Sequence, residues 1–215
     1  MDRLMTGDLT LLIVDLKKSS RLTVGVPHHT PGGRSFMPTP RKRPGDENAG
    51  FLGKLLAEKL QASFVCACNY FLDPNKSLDT DYSRAIIRSN PKVLVEVHGH
   101  GHRNTDNDVE ISCGSKKEEI YAVQLMDQLK ERLKADHMPP KLKELKIEAR
   151  FDRIYFRATG AATIKKPVWR AYHIETPQFL RLAEDAFGVP EEGKIFVKLL
   201  AENLEKILRM EFGGK

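Results

Sequence analysis

The segment Lys92–Val97 restricts the fold more than any other part of this sequence. Apolar residues occupy both sides of this potential strand, and only Glu96 interrupts them. Strands that are apolar on both faces are typical of the centre of a sheet that is covered on both sides. The pattern therefore favours an α/β fold with Lys92–Val97 as a central strand.

Further β-prone and helical segments alternate along the chain. Strands are predicted at Leu9–Asp15, Leu22–Pro27, Ser63–Leu72, Val109–Ser112 and Ala171–Glu175, and helices at Glu47–Gln61 (with Asp46 as N-cap), Asp81–Ser89, Lys116–Ala135, near Gln178–Phe187 and at Gly193–Phe212. Two hairpins are also predicted, one joining the first two strands and one formed by Leu145–Ala149 and Arg153–Ala158. This alternation predicts a three-layer sandwich with a mixed, largely parallel central sheet.

Length and composition favour one domain over residues 1–215. The chain is 40% hydrophobic, which is enough to bury a core, and its three cysteines lie among apolar neighbours. Buried, reduced thiols are typical of the cytoplasm, and no apolar stretch is long enough to span a bilayer. The formal net charge of +6 suits a small anionic substrate, and nucleic acid is the less favoured partner.

Histidine and glutamate side chains follow three of the predicted strands. His28 and His29 follow Val26-Pro27, His98 opens the run to His102, and Glu175 ends the strand at Ala171. In open α/β sheets, ligands bind at the carboxyl ends of the strands. We therefore expect these side chains to share one site.

Two histidines and one carboxylate are the protein ligands of many catalytic zinc sites. His28 and His98 supply the imidazoles, and Glu47 is the candidate carboxylate because it follows the long loop that starts after His28. The helix macrodipole is a competing explanation for an acidic residue at a helix start. His29 is the alternative to His28, since successive residues on an extended strand point to opposite faces.

Five short motifs occur in an order that resembles the N-formylglutamate amidohydrolase-like group, which is related to the zinc carboxypeptidases. They are Val26-Pro27-His28, Gly45-Asp46-Glu47-Asn48, Asp73-Pro74-Asn75-Lys76, Val97-His98-Gly99 and His173-Ile174-Glu175. The resemblance covers most of the chain, from about Leu22 to Arg181. It implies a phosphorylase/hydrolase-like fold and hydrolysis of an amide bond in an N-acyl amino acid or peptide-like substrate.

The same resemblance implies roles for individual residues. His28, Glu47 and His98 would bind zinc, and Glu175 would be the general base, with Glu110 as a competitor. The substrate carboxylate would be held by Asn75 and Lys76, where Lys76 replaces the arginine that is usual in the group, or by Arg84 instead.

Several basic residues leave a second function open. The loop Pro27–Gly45 contains five prolines and the cations Arg34, Arg41, Lys42 and Arg43, which predicts an anion-binding lid or a solvated surface. Together with the basic segment Lys141–Arg153, it also fits a tRNA-directed hydrolase or an RNA-binding module. The roles of His100 and His102 stay open.

Overall fold

The structure is a computed structural model that describes residues 10–32, 45–70, 72–101, 104–165, 168–183 and 188–212. Its strands are β1 (Leu11–Asp15), β2 (Leu22–Thr30), β3 (Asp46–Glu47), β4 (Ser63–Cys68), β5 (Val93–Gly99), β6 (Val109–Ser112), β7 (Ile147–Glu148) and β8 (Arg170–Thr176). Its helices are α1 (Ala49–Lys59), α2 (Asp81–Ser89), α3 (Glu119–Leu133), α4 (Pro140–Lys143), α5 (Gln178–Arg181) and α6 (Glu191–Phe212).

All of these strands belong to one sheet, in the order β1-β4-β2-β5-β8-β6-β7, with β3 paired to β2. Strands β4, β2, β5 and β8 are parallel, whereas β1 and β6 run antiparallel to their neighbours β4 and β8. The predicted mixed, largely parallel sheet is confirmed. Strand β5 lies at its middle because its apolar residues can pack on both faces.

Alternate residues of β5 divide the core into two layers. Val95 and Val97 pack with α1, α3 and α6 on one face of the sheet, while Leu94 packs with α2 and with Trp169 on the other. This arrangement confirms the three-layer fold. In the part of the chain that the structure describes, no helix combines the length and the hydropathy that a membrane crossing requires.

Both predicted hairpins are wrong. Strand β1 pairs with β4, which is distant in sequence, and β7 pairs with β6. Residues 151–158 form turns and irregular backbone instead of a strand. Sheet pairing depends on how each strand fits its neighbours on the same face, and local sequence does not identify a distant partner.

The end of β2 and the start of α1 differ from the prediction in a way that shapes the site. Strand β2 continues to Thr30, so His28 and His29 lie in the sheet, and its register shifts between Val26 and His29. Helix α1 begins at Ala49, with Asn48 as a left-handed N-cap. Asp46 therefore does not cap the helix. It lies in β3, beside His29 of β2.

Candidate metal centre

Three parallel strands bring polar side chains to one pocket. His28 of β2, His98 of β5 and Glu175 of β8 line a cavity of ≈ 780 Å³ at the carboxyl ends of these strands. His98 and Glu175 are direct neighbours across the β5–β8 pair. The predicted convergence of strand ends is therefore present.

Asp46 lies between two imidazole rings at the centre of this pocket. Its Oδ2 atom is 3.1 Å from Nδ1 of His98 and 3.6 Å from Nδ1 of His28. The ring centroids of the two histidines are 5.1 Å apart. Each of the three residues offers a ligand atom, and these atoms lie within 4.8 Å of one another. Two imidazoles and a carboxylate fit the donor set of a catalytic zinc ion, which leaves further coordination positions open.

The charges at this centre also suit a cation. Burial alone would raise the pKa of Asp46, but hydrogen bonds with His28 and His98 outweigh it and hold that pKa below its usual range. Burial opposes protonation of His98, yet its bonds to Asp46 and Glu96 raise the pKa of His98 to about 10. The carboxylates of this site therefore favour a positive charge, and a metal ion can supply it.

The second nitrogen of each imidazole faces another carboxylate. Nε2 of His28 is 2.9 Å from Oδ1 of Asp73, and Nε2 of His98 is 3.6 Å from Oε2 of Glu96. Histidines that bind metals commonly present their second nitrogen to such a partner. Both rings therefore turn Nδ1 towards Asp46.

Glu47 does not join His28 and His98, although the sequence analysis places it there. Its carboxylate Oε2 accepts a hydrogen bond of 3.2 Å from Nε2 of Gln178. Neighbouring residues of a strand point to opposite sides, so only one of Asp46 and Glu47 can reach the two imidazoles. Asp46 is the residue that the sequence analysis missed as a ligand, and the strict alternation within a strand is the signal that points to it.

His29 has a structural environment instead. It is fully buried, and its Nδ1 accepts a hydrogen bond of 3.1 Å from the main-chain N–H of Gly50. The His29 ring also contacts Phe51 edge to face. His28 is thus the histidine of this pair that faces the pocket.

Glu175 is held beside the three potential ligands by His173. Its Oε1 lies 3.0 Å from Nε2 of His173, whereas its buried Oε2 has no hydrogen-bond partner among the described residues. Burial raises the pKa of Glu175, against the attraction of His98 and His100. A raised pKa brings a carboxylate closer to the range that suits a general base at neutral pH.

Glu110, the competing base, is fully occupied. Its two oxygens accept hydrogen bonds from the side chains of Thr105 and Asn107 and from the main-chain N–H groups of Tyr155 and Phe156. These four donors stabilise the ionised form and leave no room for a substrate proton.

The predicted substrate-binding residues separate into two groups. Asn75 and Lys76 line the pocket, and Lys76 Nζ lies beside Gly160. Arg84 does not line it, because its guanidinium pairs with Asp79 at 2.6 Å on the surface.

Of the open histidines, His100 lines the pocket, and its Nε2 is 2.9 Å from the main-chain oxygen of Asp108. His102 and the basic residues Arg34, Arg41, Lys42 and Arg43 lie outside the described residues. The lid prediction for this loop stays a prediction.

The fold is that of a group of hydrolases with solved structures. A bacteriophage poly-gamma-glutamate hydrolase is 13% identical and has a TM-score of 0.62, over 96% of this chain and 93% of that one. The N-formylglutamate amidohydrolase from Ralstonia eutropha JMP134 is 13% identical with a TM-score of 0.61, over 95% and 99% of the two chains. A zinc-free, apo structure of YNDL is 14% identical with a TM-score of 0.56, over 92% and 90%.

These likenesses confirm, at the level of the fold, the resemblance that the five sequence motifs predict. No protein-family model and no curated protein matches the sequence.

Proposed function

We propose that this protein is a zinc-dependent hydrolase of an amide bond in an N-acyl amino acid or peptide-like substrate that carries a carboxylate. The observation that carries this proposal is the group of His28, Asp46 and His98 beside a buried Glu175 in one pocket. The three ligand atoms are those that catalytic zinc sites use. When bound, zinc polarises a carbonyl group and makes water a better nucleophile at neutral pH.

Glu175 is the residue that we propose to move protons in this reaction. Its Oε2 is buried and takes part in no hydrogen bond with a described residue, so it can accept a proton from the attacking water. The same carboxyl group then protonates the leaving amine as the amide bond breaks. His173 orients Glu175 through Oε1 and leaves Oε2 for the proton transfer.

The substrate carboxylate is proposed to bind at Asn75 and Lys76. The side-chain amide of Asn75 donates to Glu96, which fixes it, and its Oδ1 has no partner among the described residues. Lys76 is exposed at the rim of the pocket, where its ammonium group can attract an anion. Two of the proteins with this fold are named as hydrolases of poly-gamma-glutamate and N-formylglutamate, and both of these compounds carry carboxylates.

A pair of lysine and arginine variants tests the proposed substrate class. Lys76→Ala should raise KM for the hydrolysis of N-acyl amino acids by about tenfold, with kcat nearly unchanged, as expected when uniform binding is lost. Arg84→Ala is the matched control, because it removes an equal charge outside the pocket and should leave KM unchanged. Initial rates should be measured on zinc-loaded protein with N-formyl- and N-acylglutamate. Equal KM values for Lys76→Ala and the wild type would contradict this assignment.

No observation on the described residues favours the alternative of a tRNA-directed hydrolase or RNA-binding module. In the basic segment Lys141–Arg153, the guanidinium of Arg150 pairs with Glu148 at 3.3 Å. A cytoplasmic location and a single domain over residues 1–215 stay predictions.

A further inference from the structure

Glu96 is a charged residue at the centre of the sheet. It lies on β5, the middle strand, and none of its surface is exposed to solvent. A buried carboxylate costs several kcal/mol unless hydrogen bonds and a positive partner compensate for it. The position therefore requires an explanation that packing alone does not give.

Three side chains donate hydrogen bonds to this carboxylate. Oε1 accepts from Tyr82 at 3.0 Å and from Thr163 at 2.6 Å, and Oε2 accepts from Asn75 at 3.1 Å. These donors come from three separate segments of the chain, and all three are buried. Because every printed contact of these oxygens offers a hydrogen, the environment is built for the ionised form of Glu96.

The fourth neighbour of Glu96 is the proposed metal ligand His98. Both residues point to the same face of β5, since they are two positions apart. Nε2 of His98 is buried and 3.6 Å from Oε2 of Glu96, and it makes no closer hydrogen bond within the described part of the chain. Its Nδ1 faces Asp46 at 3.1 Å. The two nitrogens of one ring are thus directed at two different carboxylates.

We propose that Glu96 is a positioning residue that keeps the proton of His98 on Nε2, so that Nδ1 presents its lone pair to the metal ion. This inference rests on the proposed metal centre. A neutral imidazole has one N–H, and the partner of that N–H decides which nitrogen is free to bind a metal. A fixed negative charge behind the ring also makes Nδ1 a stronger ligand.

The same carboxylate connects the metal centre to the substrate side of the pocket. Asn75 donates to Oε2 of Glu96, so the proposed substrate residue and the proposed zinc ligand contact one oxygen atom. Gly25 on the neighbouring strand leaves the space in which Tyr82 reaches Glu96, because a Cβ atom there would collide with the tyrosine hydroxyl. Glu96 is therefore held from one side and acts on His98 from the other.

The zinc affinity of Glu96→Gln tests this role. Gln keeps the size of the side chain but removes its charge, and we expect a 10–100-fold increase in the Kd for Zn²⁺, the usual effect of losing such a partner. Competition with a chromophoric chelator measures this Kd. Tyr82→Phe is the matched control, because it removes one hydrogen bond to Oε1 and keeps the charge near His98. Its Kd should change less than threefold, although its metal-free form should also lose stability.

The tautomer of His98 supplies a measurement that needs no variant. In the zinc-loaded wild type, nitrogen NMR should show His98 protonated on Nε2 and metal-bound through Nδ1. The opposite tautomer would overturn the proposal, and so would equal Kd values for Glu96→Gln and Tyr82→Phe. Two zinc ions per chain would overturn it as well, since Glu96, His98 and His173 would then be ligands of a second ion. If the wild type binds no zinc, the proposed function fails together with this inference.

Discussion

Replacing Glu175 by Gln is expected to lower kcat by roughly 10²–10⁴ while the protein retains its metal, since that range is the usual contribution of a positioned acid–base group. The amide has the size of the carboxyl group, but it cannot accept a proton from water. Its contact with His173 can persist, because one amide atom can still bond to Nε2 of the imidazole. The loss should therefore fall on proton transfer, and KM should change little.

Single-turnover rates on zinc-loaded protein measure this effect, with the metal content of each sample determined in parallel. Glu110→Gln is the matched control, because Glu110 lies opposite Glu175 in the sheet but already accepts four hydrogen bonds. It should lower stability and leave the rate per bound zinc close to that of the wild type. If Glu175→Gln turned over at the wild-type rate, another residue would have to be the base.

Replacing Arg181 by Met is expected to lower the free energy of unfolding by about 3–5 kcal/mol, because each buried carbonyl left without a donor costs about 1–3 kcal/mol. The guanidinium is 2% exposed and packs directly on Gly99. It donates hydrogen bonds to main-chain oxygens of Glu47, His100 and Thr176. These three segments surround the metal centre, so one side chain fixes them relative to one another.

Equilibrium unfolding in urea measures this loss, and Arg181→Lys separates charge from geometry. Lysine keeps the positive charge but cannot reach three carbonyls with one planar group, so we expect an intermediate loss. A change below about 1 kcal/mol for Arg181→Met would mean that water satisfies these carbonyls and that the arginine is not required.

The parts of the fold that follow from local pattern could be predicted. The apolar run at Lys92–Val97 identifies the central strand, and the histidines behind Val26 and Val97 identify the site, because parallel strands end at one edge of a sheet. Both features depend on residues that are close in sequence. They require no knowledge of which strand pairs with which.

The parts that depend on distant contacts could not be predicted. Asp46 reaches the site because β3 pairs with β2 after a long connection, and a helix start at Glu47 hides that short strand. Glu96 reads as one polar interruption until Tyr82 and Thr163 are seen to donate to it. The identity of the third ligand is thus a property of the folded chain.

Zinc content in three proteins tests the central claim most directly. The wild type, Asp46→Asn and Glu47→Gln should be loaded with Zn²⁺, freed of excess metal and analysed for zinc per chain. The metal centre described above predicts about one zinc in the wild type and in Glu47→Gln, and little in Asp46→Asn, because only Asp46 joins His28 and His98. Zinc retained by Asp46→Asn and lost from Glu47→Gln would contradict this ligand set, and a wild type without zinc would contradict the metal centre itself.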